Sequence, residues 1–443
     1  MKYLYRFLVV ASLLLLFSCS NNDYLNVLPR ESVAFASIDV QRFSSSGDEA
    51  IISLLNDAWG VSIKEAKGID LSSKAYVYET PDGTLGFVAR VNDADELTDL
   101  FTSLAESGKC TKPEERRGNM FVTVNDSWLV GYSDDAMIVI GPITLMQRNA
   151  TEQKMQRMFA NKENQGAKES RLFQRLDSLE SPVALVAQVS ALPEQIVLPF
   201  TIGAPKEADA SQIILTATMG QEDGIMVIKG NTSSFNKNID KKLKENEQVL
   251  QPITDDMFGS LSPSDIGFLF MNANGEELLK VLQQNVAFQA LLAGANTAVD
   301  MDNIIRSVKG DMVFSLSDIR GDFDFRARLG KKDFLKDIGY WKSSCPSGSS
   351  ITDTGKDAYI YKNADMSYSF AVTPDNLFVS SLRHSEGKAV EYVALQLPKA
   401  LSDRIKGSRL AMMIDISKID NKTISDILKP VMGNADKILY IKE

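Results

Sequence analysis

Gly86-Phe87-Val88-Ala89-Arg90-Val91 and Asp324-Phe325-Arg326-Ala327-Arg328-Leu329 stand 238 positions apart and keep apolar residues in corresponding places. The same spacing carries Phe121-Val122-Thr123-Val124-Asn125 onto Tyr359-Ile360-Tyr361-Lys362-Asn363. A spacing of 240 places Trp128 on Tyr368 and Ala136-Met137-Ile138-Val139-Ile140 on Asn376-Leu377-Phe378-Val379-Ser380. Farther out, Val33 to Asp39 matches Ile266 to Asn272 at 233, and Val183-Ala184-Leu185-Val186 matches Leu410-Ala411-Met412-Met413 at 227. The matches keep their order, and the spacing changes in loops and helices, where insertions are tolerated. The chain reads as one unit written twice.

Each copy is expected to run strand, helix, hairpin, helix, hairpin, helical stretch, strand. In the first, Ser32 to Asp39 forms a strand and residues 50–55 group as a helix ending at Gly60. Tyr76-Val77-Tyr78 and Leu85 to Val91 flank Pro81-Asp82-Gly83, whose preset and positive φ values suit a reversal. Leu97, Leu100, Phe101 and Leu104 make one apolar stripe, with Asp93 or Asp95 to accept from the first amides and Gly108 to stop the helix. Strands joined by hairpins, with helices between rather than in strict alternation, predict an α+β fold. Each of its two similar repeats is a mainly antiparallel sheet with helices packed on one face. The expected boundaries are 1–18 signal peptide, 19–28 lipidated N-terminus and tether, 29–235 first repeat, 236–258 connector helix and 259–443 second repeat.

The leader is a different kind of sequence. Lys2 and Arg6 precede an apolar run from Phe7 to Phe17, too short for the roughly 20 residues a spanning helix needs, and Leu16-Phe17-Ser18-Cys19 follows. That ending resembles the bacterial lipobox, in which the thiol, here of Cys19, is lipidated and the preceding bond is cut. Several acyl chains, at about 0.8 kcal/mol per buried methylene, anchor a protein stably. Only short, polar Ser20-Asn21-Asn22-Asp23 then separates the membrane from the fold.

Of 443 residues, 44% are hydrophobic and 24% charged, the composition of a folded globular protein. A formal charge of −10 repels polyanions, and Lys241, Lys242 and Lys244 interleave with Asp240, Glu245 and Glu247 as on a solvated helix face. No nucleic-acid partner is expected. Beyond the anchor, Cys110 and Cys345 remain. They read as two separate thiols or as a bridge between the repeats, since sequence does not fix the Cα separation a disulfide requires.

Catalytic signatures are missing. The single histidine, His384, sits in a polar stretch and reads as a loop residue, and no H-E-x-x-H, G-x-S-x-G or Walker loop occurs. Ser234-Phe235-Asn236-Lys237 satisfies S-x-x-K without its companion motifs. Asp93 with Asp95, Asp300 with Asp302, and Asp322 with Asp324 could supply a carboxylate pair for glycoside hydrolysis, but capping explains the first and a wet strand face the third. None continues as a calcium loop. Neither metal nor cofactor is expected. Trp128, Val130 and Tyr132 share one strand face, and Tyr368, Phe370 and Val372 repeat it. Burial under helices is the plainer reading, and a ligand surface on Trp128, Tyr132 and Tyr368, for a glycan or a protein, is the functional one.

The layout, with Tyr24-Leu25-Asn26-Val27-Leu28-Pro29 and then Ser32 to Asp39, resembles the Bacteroidales lipoprotein family known as domain of unknown function 4836. The resemblance implies a Bacteroidales envelope lipoprotein and supplies no activity or functional residue. The expected role is a membrane-anchored, non-enzymatic binding or scaffold protein, lipid-anchored in the cell envelope at the outer membrane. The alternatives are a carboxylate-dependent glycan or peptidoglycan hydrolase and a structural or lipoprotein-handling factor.

Overall fold

The computed structural model describes residues 22–39, 41–42, 67–192, 197–262, 265–284, 289, 300–317, 322–364, 367–381, 397–419 and 435–442. Cys19, His384 and the helix expected at 50–55 lie outside them. The chain divides into two compact units, Met1–Gln41 with Leu55–Ser178, and Arg42–Leu54 with Leu179–Glu443. Residues 179–235, expected in the first repeat, thus group with the second unit. Among the described residues, no helix is long and apolar enough to cross a membrane.

The first unit holds strands β1 (Ala34–Ile38), β2 (Ala75–Glu79), β3 (Leu85–Arg90), β4 (Glu114–Arg116), β5 (Asn119–Val124), β6 (Trp128–Tyr132) and β7 (Ala136–Ile140). They pair antiparallel throughout, in the order β1-β2-β3-β7-β6-β5-β4. Helix α1 (Ala94–Glu106) begins where expected: the Asp93 carboxylate accepts from the amides of Asp95 and Glu96. Its stripe of Leu97, Phe101 and Leu104 is buried against Val122, Val124, Val130, Tyr132, Met137 and Val139 on one sheet face. Burying each such side chain contributes about 1.5–3 kcal/mol. Because strand residues alternate, Phe121 points the other way. There its ring meets Phe159 of α2 (Arg148–Phe159) edge-on at 6.4 Å, while Phe173 of α3 (Arg171–Asp177) meets Phe35 at 5.5 Å. β4, which the sequence reading missed, is a three-residue strand with every residue exposed, so it carries no apolar alternation.

The second unit runs through β8 (Val183–Gln188), β9 (Ile214–Glu222), β10 (Ile225–Ser233), α4 (Lys237–Glu247), β11 (Leu250–Gln251), β12 (Gly267–Asn274), α5 (Gly275–Leu282) and α6 (Met301–Ser307). It continues through β13 (Val308–Leu316), β14 (Phe323–Leu329), α7 (Ile338–Ser343), β15 (Ser350–Gly355), β16 (Ala358–Lys362), β17 (Ser367–Val372), β18 (Asn376–Ser381), α8 (Lys399–Ile405), β19 (Leu410–Asp415) and β20 (Lys437–Lys442). The strand order is β8-β9-β10-β20-β19-β12-β13-β14-β18-β17-β16-β15. One pair, β10 with β20, is parallel, so the sheet is mixed. Helix α4 falls within the stretch expected to be a connector at 236–258, but it lies inside the second unit. It packs Ile239 and Leu243 into the core beside Leu278 and Leu282 of α5 while Lys241, Lys242 and Lys244 stay on the exposed face. On the other side of β12, Phe268 and Phe270 pack with Leu401 and Ile405 of α8.

Within this unit β12-β13-β14-β18-β17-β16-β15 repeats the strand order of β1-β2-β3-β7-β6-β5-β4. Phe87 faces Val139 across β3 and β7, and Phe325 faces Val379 across β14 and β18, which is the correspondence read from the sequence. One match shifts by a residue: Tyr359 and Tyr361 occupy the core positions of Val122 and Val124, not those of Phe121 and Thr123. The spacing counted from apolar content alone did not see which way each residue pointed.

Candidate functional site

The β4–β5 turn and helix α2 wall an open cleft of about 680 Å³ in the first unit. On the turn side, Arg116 pairs with Asn119 across two residues of positive φ, Arg117 at 55° and Gly118 at 80°. Such a turn favours asparagine then glycine, because an L side chain in the left-handed region crowds its own backbone. Arginine occupies the first position nonetheless, and Arg117 and Asn119 line the cleft. On the helix side, Met155 and Met158 are buried. That sends Gln153, Gln156, Arg157 and Ala160 to the cleft wall, with Phe159 beside them.

Glu114 and one oxygen of Glu152 beside the cleft already have partners. Arg116 donates to Glu114 at 2.9 Å and to the buried Glu152 at 3.1 Å, and Gln156 also donates to Glu152 at 3.4 Å. The Arg157 Nε donates to the Gln153 carbonyl at 3.3 Å. The terminal guanidinium nitrogens of Arg157, and the whole Arg117 guanidinium, have no partner among the described residues. The cleft therefore offers two charged donor groups, three amide side chains and one aromatic edge. Guanidinium forks match oxyanions, and amides can both donate to and accept from hydroxyl groups. None of the lining residues is a nucleophile paired with a base.

The residues singled out from the sequence lie elsewhere. Tyr132 is 0% exposed, stacked on Phe101 at 5.6 Å with its hydroxyl 2.9 Å from that of Thr98. It is core, and it has no face to give a ligand. Trp128 is half-buried in the same cluster, its ring lying against Gly141. Tyr368 belongs to the second unit, stacked on Tyr361 at 4.9 Å, and burial pushes its pKa up to about 12. The bulky residues are there to fill the space under the helices. Cys110 and Cys345 are both free thiols. The Ser234 hydroxyl donates to the Gln212 carbonyl and accepts from the Asn236 amide, a turn closure rather than a nucleophile.

The carboxylate pairs also find structural uses. Asp93 and Asp300 cap helices. Asp322 and Asp324 are buried, at 8% and 9% exposure, not on the expected wet face. Asp324 lies close enough to Asp265 to act on its titration: burial, then the charge of Asp324, raises the Asp265 pKa against the lowering by hydrogen bonds from Ser262, Ser315 and Ser317. A raised carboxyl favours the protonated folded state, so this group's contribution is fullest below the ordinary Asp range and is lost as pH climbs through the raised value. Asp265→Asn keeps an acceptor for the Ser262 amide. Its stability is expected to fall less than that of the wild type as pH climbs above the ordinary Asp range, as measured by urea unfolding. Among the described residues, no group of three or more His, Cys, Asp and Glu could hold a metal ion.

The family described as domain of unknown function (DUF4836) matches residues 62–424. The chain belongs to this family. The matched stretch contains both walls of the cleft and most of the two units. No curated protein matches. Among solved structures, crystal form I of TP0453 is 11% identical over 81% of this chain and 90% of its own, with a TM-score of 0.30. Crystal form III of the same protein is 14% identical over 44% and 74%, with a TM-score of 0.29. At these TM-scores the likeness is too slight to carry an argument.

Proposed function

We propose that this DUF4836 chain is a cell-envelope lipoprotein, held at the outer membrane of a Bacteroidales cell through Cys19, that binds a glycan or protein without transforming it. The observation that carries the binding reading is the cleft itself: a concave site lined by Arg117 and Arg157, whose terminal guanidinium nitrogens have no partner among the described residues, while Glu114 and one oxygen of Glu152 are taken by Arg116. The address rests on the leader, where Lys2 and Arg6, a short apolar run and Leu16-Phe17-Ser18-Cys19 stand in the order that lipoprotein processing requires. A duplication of one unit fits the common strand order of β1–β7 and β12–β18. The cleft belongs to the first unit alone, which lets the copies differ in role.

Two measurements test this. Cys19→Ala is expected to move the protein from the membrane fraction to the soluble envelope fraction, and retention at the membrane would contradict the anchor. The full-length wild-type chain, detergent-solubilised and printed against a panel of envelope glycans and envelope proteins, is expected to capture a member of the panel. Capture of none would contradict the binding reading.

A further inference from the structure

We infer that the cleft selects acidic saccharides, a sugar ring bearing a carboxylate or phosphate, with Arg117 and Arg157 holding the oxyanion. This rests on the cleft being a binding site and adds the class of ligand it takes. The protein carries a net charge of −10, so two uncompensated guanidinium groups lining one cleft are a local reversal of its field. An oxyanion answers such a pair by accepting parallel hydrogen bonds from planar forks, at roughly twice the strength of neutral ones. Gln153 then provides a donor and an acceptor for ring hydroxyls, the carbonyl oxygens of Asn119 and Gln156 provide acceptors, and Phe159 provides an apolar surface for the C–H face of a sugar. A neutral peptide would leave both charges unanswered. A nucleic acid would bring many phosphates against a protein of the same sign. The Arg117 backbone supports the assignment: its positive φ fixes the side chain's origin on a two-residue turn, so less freedom is lost on binding than from a loose loop.

The test is calorimetry on the full-length chain in detergent with three probes: a trimer of galacturonic acid, the neutral galactose trimer and inorganic phosphate. The acidic trimer is expected to bind at least about tenfold more tightly than the neutral one. Arg117→Ala and Arg157→Ala are each expected to weaken it by about tenfold or more, the loss of one charged hydrogen-bonding group. Arg148→Ala, on the same helix outside the cleft, controls for general charge and should change little. Phosphate alone binding as tightly as the acidic trimer would overturn the saccharide and leave a simple anion site. The neutral trimer binding equally well, with the arginine variants unaffected, would overturn the acidic preference while leaving the cleft a binding site. Failure of all three probes in a variant-independent way would overturn the inference, and the glycan and protein panel then decides separately whether the cleft binds anything.

Discussion

Glu247→Ala is expected to destabilise the protein by about 3–5 kcal/mol, because it strands a buried ammonium. The Lys442 side chain is 2% exposed, and its Nζ lies 2.6 Å from the Glu247 carboxylate and 3.0 Å from the Thr232 hydroxyl. Thr232 in turn donates to Glu247 at 3.0 Å, so the three groups close a small network joining β20, β10 and the last turn of α4. Taking two ions from water costs several kcal/mol each, and the pair persists because each satisfies the other. Removing one leaves the other's desolvation unanswered. The double variant Glu247→Leu with Lys442→Met should recover most of the loss, since an apolar pair of similar volume carries no ionic penalty. Urea unfolding of Glu247→Ala and of the double variant measures this. A Glu247→Ala loss under about 1 kcal/mol would show that water reaches Lys442.

Gly275→Ala is expected to cost about 2–4 kcal/mol, as overpacking against rigid backbone. Gly275 is buried in the first turn of α5, where Asn274 accepts from the Glu276 amide at 3.0 Å. A Cβ there would run into the Ile305 carbonyl and lie 3.0 Å from the Val308 oxygen. The Ile305 carbonyl is also the acceptor for the amide that ends α6, so moving it aside would loosen that helix end and the close approach of the two helices. Gly339 supplies the contrast. It lies in α7 with nothing within 4 Å of an added Cβ and an ordinary φ. Gly339→Ala should therefore stabilise by about 0.4–1 kcal/mol through the unfolded chain alone. Thermal unfolding of both variants distinguishes steric conflict from helix propensity, because only the second mechanism predicts the same sign at both sites.

Much of the fold was legible because it is written in periodicity. The stripe Leu97, Phe101 and Leu104 with its Asp93 cap, and the hairpin at Pro81-Asp82-Gly83, are local chemistry and appear where the sequence puts them. The strand order shared by β1–β7 and β12–β18 is long-range pairing. Only the copied residues hinted at it. The sheet's parallel pair was hidden, because nothing in Ile225–Ser233 or Lys437–Lys442 says which strand each will join. The cleft was less legible than the fold. Its arginines come from a turn and a helix more than 30 residues apart in sequence, and Arg117 stands in the charged run Glu114-Glu115-Arg116-Arg117. The available signal was Arg117-Gly118 at the tip of a hairpin with no stabilising reason to hold arginine. Trp128, Tyr132 and Tyr368 drew attention instead, because aromatic size serves a core and a sugar platform equally well until burial is known.

Amide hydrogen exchange on the full-length chain, with and without the trimer of galacturonic acid, tests the binding cleft most directly. Slowed exchange confined to the turn at 116–120 and the end of α2 at 156–161 is the predicted result. Unchanged exchange there, at a concentration where calorimetry reports binding, would place the saccharide elsewhere and contradict the assignment of the site.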